Sequence, residues 1–134
     1  MKKDFQKWHD RKSEIDNIEV RPFFHEREVW FCHLGANVGF EQDGIGEDYI
    51  RPIIIIRKFN NEIFWAIPLT KSHKKIKPKT DLYYYSFSIT PNIISVAILS
   101  QIRLIDARRL ARPIGSLSES RFNELIEKLK RLFP

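Results

Sequence analysis

Hydrophobic and polar positions divide this chain into two helical ends and a strand-rich middle. Over residues 3–18, Phe5, Trp8, Ile15 and Ile18 recur at near-helical spacing with charges between them, which predicts a charged amphipathic helix that Pro22 closes off. At the other end, Phe122, Leu125, Ile126, Leu129, Leu132 and Phe133 line one face and predict a helix over Glu119–Leu132. Ser118 is a good N-cap for it, and Leu117 and Phe122 stand at hydrophobic-staple positions. Lys128, Lys130 and Arg131 sit at its C-terminus, where the helix dipole favours cations.

Between these ends the pattern turns to strands. EVWFCHL, Glu28 to Leu34, is mostly apolar and reads as one; Gly35, Gly39, Gly44 and Gly46 then punctuate a long loop reaching Ile50. Pro52, tolerated at the first position of a strand, opens the run Ile53–Ile56, and four consecutive β-branched residues indicate a strand buried on both faces. Asn60-Asn61 reads as a tight turn, with Glu62 to Leu69 as the returning strand of a central hairpin. Further strands are expected over 81–90, 93–99 and 101–105, and a turn or short strand end at Pro113–Gly115. Short strands flanked by helices predict a mainly β fold, a small barrel or sheet. The expected organisation is a helical N-terminal extension, residues 1–25, and a domain of residues 26–134 that includes the helix 119–132.

Composition narrows the class. With 134 residues, 43% hydrophobic and 30% charged, the chain has the make-up of one soluble domain. A net charge of +6 with clustered lysines points toward nucleic acid or an acidic protein partner. The one cysteine, Cys32, excludes an internal disulfide and sits in an apolar run, so it reads as a small core residue; His33 beside it should face the other way. No segment has the length of a membrane span and the charged start lacks the apolar core of a signal peptide, so the expected location is the cytoplasm, away from any membrane.

The usual catalytic vocabulary is mostly absent. There is no phosphate-cradling glycine loop before a helix and no serine nucleophile elbow. The four histidines, His9, His25, His33 and His73, have no metal-ligand spacing, so neither a metal nor another cofactor is expected. Three features remain: Glu41-Gln42 in the glycine-rich loop leading to Arg51-Pro52, the strand end Pro68-Leu69-Thr70-Lys71, and Ser100-Gln101 after an apolar run. If the hairpin turns near Asn60-Asn61, Arg51 and Thr70 lie side by side although 19 positions apart. An arginine before a strand also serves as a surface ion-pair partner, and a threonine at a strand end as a turn former.

Taken in order, REVWFCHLGANVGFEQDG, RPIIII, IPLTKS, SVAILSQIRLIDARRL and IGSLSESRFNELIEKLK resemble the MazF/PemK toxin family, whose fold is shared with the CcdB gyrase poisons. The resemblance runs from about Glu28 to Phe133. It implies an SH3-like β-barrel of the CcdB/PemK type, usually a homodimer. It implies a metal-independent, sequence-specific endoribonuclease acting on single-stranded RNA, held in check by an antitoxin whose acidic tail covers the RNA groove. It assigns the catalytic pair to Arg51 and Thr70 and the acidic residue of the E-Q pair to Glu41. Here the eight residues DGIGEDYI separate that pair from Arg51-Pro52, a longer link than family members often have, and the first 25 or so residues lie outside the shared core.

RNA carries its own nucleophile, the 2′-hydroxyl beside each phosphate, so cleavage needs in-line placement and charge stabilisation. Arg51 suits the phosphate, because its planar fork can grip two oxygens while an arginine is a poor base near neutral pH. Thr70 can donate to the same group. Glu41 is a candidate base, or a holder of Arg51 and the loop. Lys71, Lys74, Lys75, Lys77 and Lys79 would track the RNA backbone. Gln42 is a candidate RNA contact, and Gln101 either reads a base or holds the site together. Phe40, Tyr49 and Tyr83 are candidate stacking platforms. The rival readings are a CcdB-like poison of DNA gyrase without nuclease chemistry, and an inactive RNA-binding barrel or repressor subunit.

Overall fold

The computed structural model describes residues 4–35, 50–71, 81–91 and 93–134. Helix α1 spans Phe5–Asp16, and among the described residues seven strands follow: β1 Glu28–His33, β2 Ile50–Lys58, β3 Ile63–Lys71, β4 Tyr84–Thr90, β5 Ile93–Ile98, β6 Arg103–Asp106 and β7 Leu110–Ser116. Helix α2, Glu119–Lys130, closes the domain. All pairings are antiparallel, in the order β4-β5-β3-β2-β1-β7, with β6 also on β3. The sheet curls until its ends meet: a Cβ on Gly115 of β7 would lie 2.8 Å from Ile89 of β4, so only a glycine lets the edges approach this closely. The result is an antiparallel half-barrel with a helix at each end of the chain. No helix among the described residues is long and apolar enough to cross a membrane.

The isoleucine run is buried on both faces, as its composition predicts. Ile54 and Ile56 enter one core with Val29, Leu69 and Tyr85, which α2 covers through Leu125 and Leu129. Ile53 and Ile55 enter a second core with Cys32, Phe64 and Ile105 on the opposite face. Capping and periodicity set α2: Ser118 Oγ accepts from Arg121 N at 3.3 Å, and Phe122, Ile126 and Leu132 pack beside the two buried leucines. Phe133 does not join them; it lies past the helix and is 59% exposed.

Helix α1 is shorter than the periodicity suggests. It ends at Asp16, six residues before Pro22, and Phe5 and Ile18 stay exposed. Trp8 and Ile15 alone bury (5% exposed each), and Trp8 packs on Gly35, whose φ of +82° and lack of a side chain make room for the ring. An ionic cluster ties the following segment down. Asp106 accepts from Arg21 Nε at 2.9 Å and from Arg108 Nη2 at 2.9 Å, and Arg108 Nη1 donates to the Asp16 carbonyl at 2.9 Å. Burial alone would raise the Asp106 carboxyl, but the hydrogen bonds from Arg21 and Arg108 outweigh it and hold the group well below the usual carboxylate range.

Four strand expectations need correcting. Leu99–Gln101 form a 3-10 turn, so the strands expected over 93–99 and 101–105 are Ile93–Ile98 and Arg103–Asp106. Pro52 is the third residue of β2, paired with Phe31, not the first. Residues 81–83 form a 3-10 turn before β4 begins. Pro113 lies inside the seven-residue β7, where its missing N–H is tolerated because β7 is a sheet edge and its ladder with β1 is irregular beside that pair, between Val29 and Trp30.

Candidate active site

Arg51 is the second residue of β2 and Thr70 the second-last of β3. Both therefore sit inside their strands rather than at a strand mouth, and the backbone ladder holds them. The β2–β3 ladder runs as far as Ile53↔Pro68; the same register, continued two residues beyond that last pair, would set Arg51 opposite Thr70. On their outer sides Arg51 pairs with Cys32 and Thr70 with Val96, and Cys32 in turn pairs with Leu110. Leu110, Cys32 and Arg51 thus form one cross-strand row, and Thr70 and Val96 a neighbouring pair. The half-buried cation is flanked by a cysteine at 0% exposure and the half-buried hydroxyl by a valine at 1%.

The hairpin reaches this pairing by a route that the sequence does not announce. Its loop is Phe59–Glu62, closed by Phe59 N to Ile63 O at 3.2 Å and by Asn60 Oδ1 accepting from Glu62 N and Ile63 N. Near that loop Lys58 pairs with Phe64 and Arg57 with Trp65, a register that would carry Arg51 to Lys71. A β-bulge between Ile55 and Arg57 shifts the ladder by one residue, so that Ile55 meets Ala66 and the register continued from there points Arg51 to Thr70 instead.

Arg51 Nη1 donates to the Leu69 carbonyl at 3.1 Å, which fixes the guanidinium against β3. Arg51, Thr70 and the exposed Lys71 border a groove of about 660 Å³. Strand alternation builds its floor from Val29, Phe31, Pro52 and Leu69, and leaves Arg51 and Thr70 at its margin. Ile89 and Ile114, from the two meeting sheet edges, close it. Arg112 lies over the Phe31 ring at 4.5 Å, adding a cation beside the groove. Thr90 and Ser95 add hydroxyls, and no carboxylate or histidine is among the described residues that line it.

Cys32 next to Arg51 is no nucleophile. Burial pushes its thiol up to about 12, only partly opposed by Arg109 and Arg103, so it stays protonated. His33 is also buried, at 7% exposure, so the alternation expected of the pair leads into two packed environments rather than one packed and one open. Among the described residues no group of three or more His, Cys, Asp or Glu is placed to hold a metal ion.

The other sequence candidates separate. Gln101 is half-buried in the 3-10 turn between β5 and β6 and does not border the groove. Tyr83 is exposed in the turn before β4, likewise outside the groove. Glu41, Gln42, Lys74, Lys75, Lys77 and Lys79, with Phe40, Tyr49 and His73, lie outside the described residues. Sequence reasoning missed the contributions of β4, β5 and β7, and the cations Arg103 and Arg109 close to Cys32. The Arg108-Arg109 doublet was visible, but nothing local separates a paired arginine from an unpaired one.

The model of the PemK-like, MazF-like toxin of type II toxin–antitoxin systems matches residues 25–133. The chain belongs to this family. Its fold agrees with solved family structures at low identity. MazF from Deinococcus radiodurans is 17% identical over 85% of this chain and 97% of its own, with a TM-score of 0.63. The Mycobacterium tuberculosis toxin MazF-mt6 is 18% identical over 78% and 94%, with a TM-score of 0.56. An endoribonuclease solved in complex with its cognate antitoxin, from a mycobacterial species, is 12% identical over 81% and 93%, with a TM-score of 0.57. No curated protein matches in sequence. Helix α1 precedes the matched region.

Proposed function

We propose that this chain is the toxin of a type II toxin–antitoxin pair and acts as an endoribonuclease on single-stranded RNA. In this reading residues 26–134 are the toxin domain and residues 1–25 an extension of it. One observation carries it: a fixed guanidinium and a hydroxyl on neighbouring strands, both half-exposed, lie at the margin of one groove. A pure docking module has no need of that pair.

The chemistry follows from the substrate. The 2′-oxygen attacks the adjacent phosphorus, the bond from phosphorus to the 5′-oxygen breaks, and the products are a 2′,3′-cyclic phosphate and a 5′-hydroxyl. Arg51 neutralises the charge that builds on the phosphoryl oxygens, and Thr70 donates its hydroxyl to orient the same phosphate. Glu41 is assigned to take the 2′-hydroxyl proton, and solvent returns one to the 5′-oxygen. The nucleophile belongs to RNA, so the reaction needs no metal-bound water. Lys71, with Gln42, Lys74, Lys75, Lys77, Lys79 and Gln101, is assigned to RNA contact. A homodimer and an acidic antitoxin complete the proposed assembly; a structural relative solved in complex with its cognate antitoxin supports the latter.

The test is purified protein with long single-stranded RNA in EDTA, beside Arg51→Ala and Thr70→Ala. Discrete cuts with cyclic-phosphate ends, lost in both variants while circular dichroism stays native, are expected. Intact RNA with stalled gyrase, or RNA retained and never cut, overturns the nuclease reading.

A further inference from the structure

Arg109 stands just before β7, next to Leu110, which belongs to the same cross-strand row as Arg51. Two strand spacings, roughly 10 Å, separate β7 from β2 across β1. Its neighbour Arg108 is neutralised, because Asp106 accepts from its Nε and Nη2. Arg109 has no such partner: among the described residues no carboxylate forms an ion pair with it. Its guanidinium lies over the Trp8 ring at 5.7 Å, and Nη1 reaches only the His33 carbonyl, at a long 3.5 Å. Arg103, another cation, acts on it through space, and it is half-buried. Burial and that like charge lower its pKa, only partly opposed by Asp106 acting through space. An anion arriving beside Arg109 would offset the repulsion from Arg103.

We propose that Arg109, backed by the indole of Trp8, holds a second phosphate of the RNA, flanking the one assigned to Arg51 and Thr70. This rests on the nuclease reading and extends it. The cation–π stack orients the planar fork, which a lysine ammonium would not match. The RNA path then leaves the shared family core and reaches the N-terminal helix, because Trp8 belongs to α1, before the matched region at residues 25–133. Trp8 is a positioning residue here: it touches Arg109 and Gly35, not the RNA.

Binding of a mixed-sequence single-stranded RNA with every 2′-hydroxyl methylated, which cannot be cut, is measured between about 50 and 200 mM salt. Arg109→Gln should weaken binding about tenfold at low salt. It should also make the slope of log affinity against log salt less negative by about 0.7, the value of one lost phosphate contact. Arg109→Lys should restore the slope but not the full affinity. Trp8→Ala should weaken binding and Trp8→Phe should rescue it. Lys130→Gln, a charge removal on α2, controls for net charge and should leave the slope unchanged. An unchanged slope in folded Arg109→Gln overturns the proposal. So does a variant that keeps RNA binding but loses binding to polyglutamate, which would assign Arg109 to an acidic protein. If unmodified RNA is never cut by the wild type, the nuclease reading fails. If it is cut and Arg109→Gln keeps the slope, only the second phosphate site fails.

Discussion

Replacing Ile53 and Ile54 by valine, singly and together, tests whether the central strand is buried on both sides. The residues are consecutive, so the pleat sends them to opposite faces. Ile53 joins the core of Cys32 and Phe64, Ile54 the core of Leu125 and Leu129, and both are 0% exposed. Isoleucine to valine removes one carbon and keeps the β-branch, so strand preference is preserved and packing alone changes. One buried methylene is worth about 0.8 kcal/mol, and the small void brings each variant to about 1 kcal/mol. The two side chains share no cluster, so the double variant should lose about 2 kcal/mol. With a urea m-value near 2 kcal/mol/M, midpoints fall by roughly 0.5 M for each single variant and 1 M for the double, at constant m. Equilibrium urea unfolding, followed by tryptophan fluorescence and far-ultraviolet circular dichroism, reads these shifts. A sheet with one solvated face would leave one single variant at the wild-type midpoint, and that result refutes the two-core account.

Three further outcomes are expected. The raised Cys32 pKa stabilises the fold fully below about pH 8.5, where the thiol is protonated in both states, and the stabilisation is lost as pH rises toward the folded value; between pH 8.5 and 9.5 thermal or urea unfolding should show wild type losing about 1 kcal/mol relative to Cys32→Ala. The depressed Asp106 pKa has the opposite sign. Its contribution is present above the ordinary carboxylate range and lost as pH falls through the folded value, so Asp106→Asn should melt below wild type at pH 7, and a melting difference that fails to shrink in acid counts against the Arg21–Asp106–Arg108 cluster. Gly35→Ala must hold a side chain at φ +82° and displace Trp8, which should cost about 2 kcal/mol and expose the indole to fluorescence quenchers; unchanged quenching would contradict the docking of α1.

Much of the architecture was legible locally. The spacing of Leu125 and Leu129 behind Ser118 records a helix and its buried face, because 3.6-residue periodicity and capping are short-range properties. The run Ile53–Ile56 records a strand enclosed on both sides, and the company of Cys32 records its burial. Proximity of Arg51 and Thr70 at one groove was also readable from the hairpin, but for an incomplete reason: a wider loop and a β-bulge offset each other in the register. What the tertiary structure decided was the rest of the site. Pairing of β1 with β7 turned Pro113 from a turn into an edge strand, and closure of Ile89 on Gly115 formed the groove wall. Docking of Trp8 on Gly35 and Arg109, and the capture of Arg108 but not Arg109 by Asp106, depend on surfaces far apart along the chain. Such contacts form only where whole surfaces are complementary, and no local window of residues contains both sides of them.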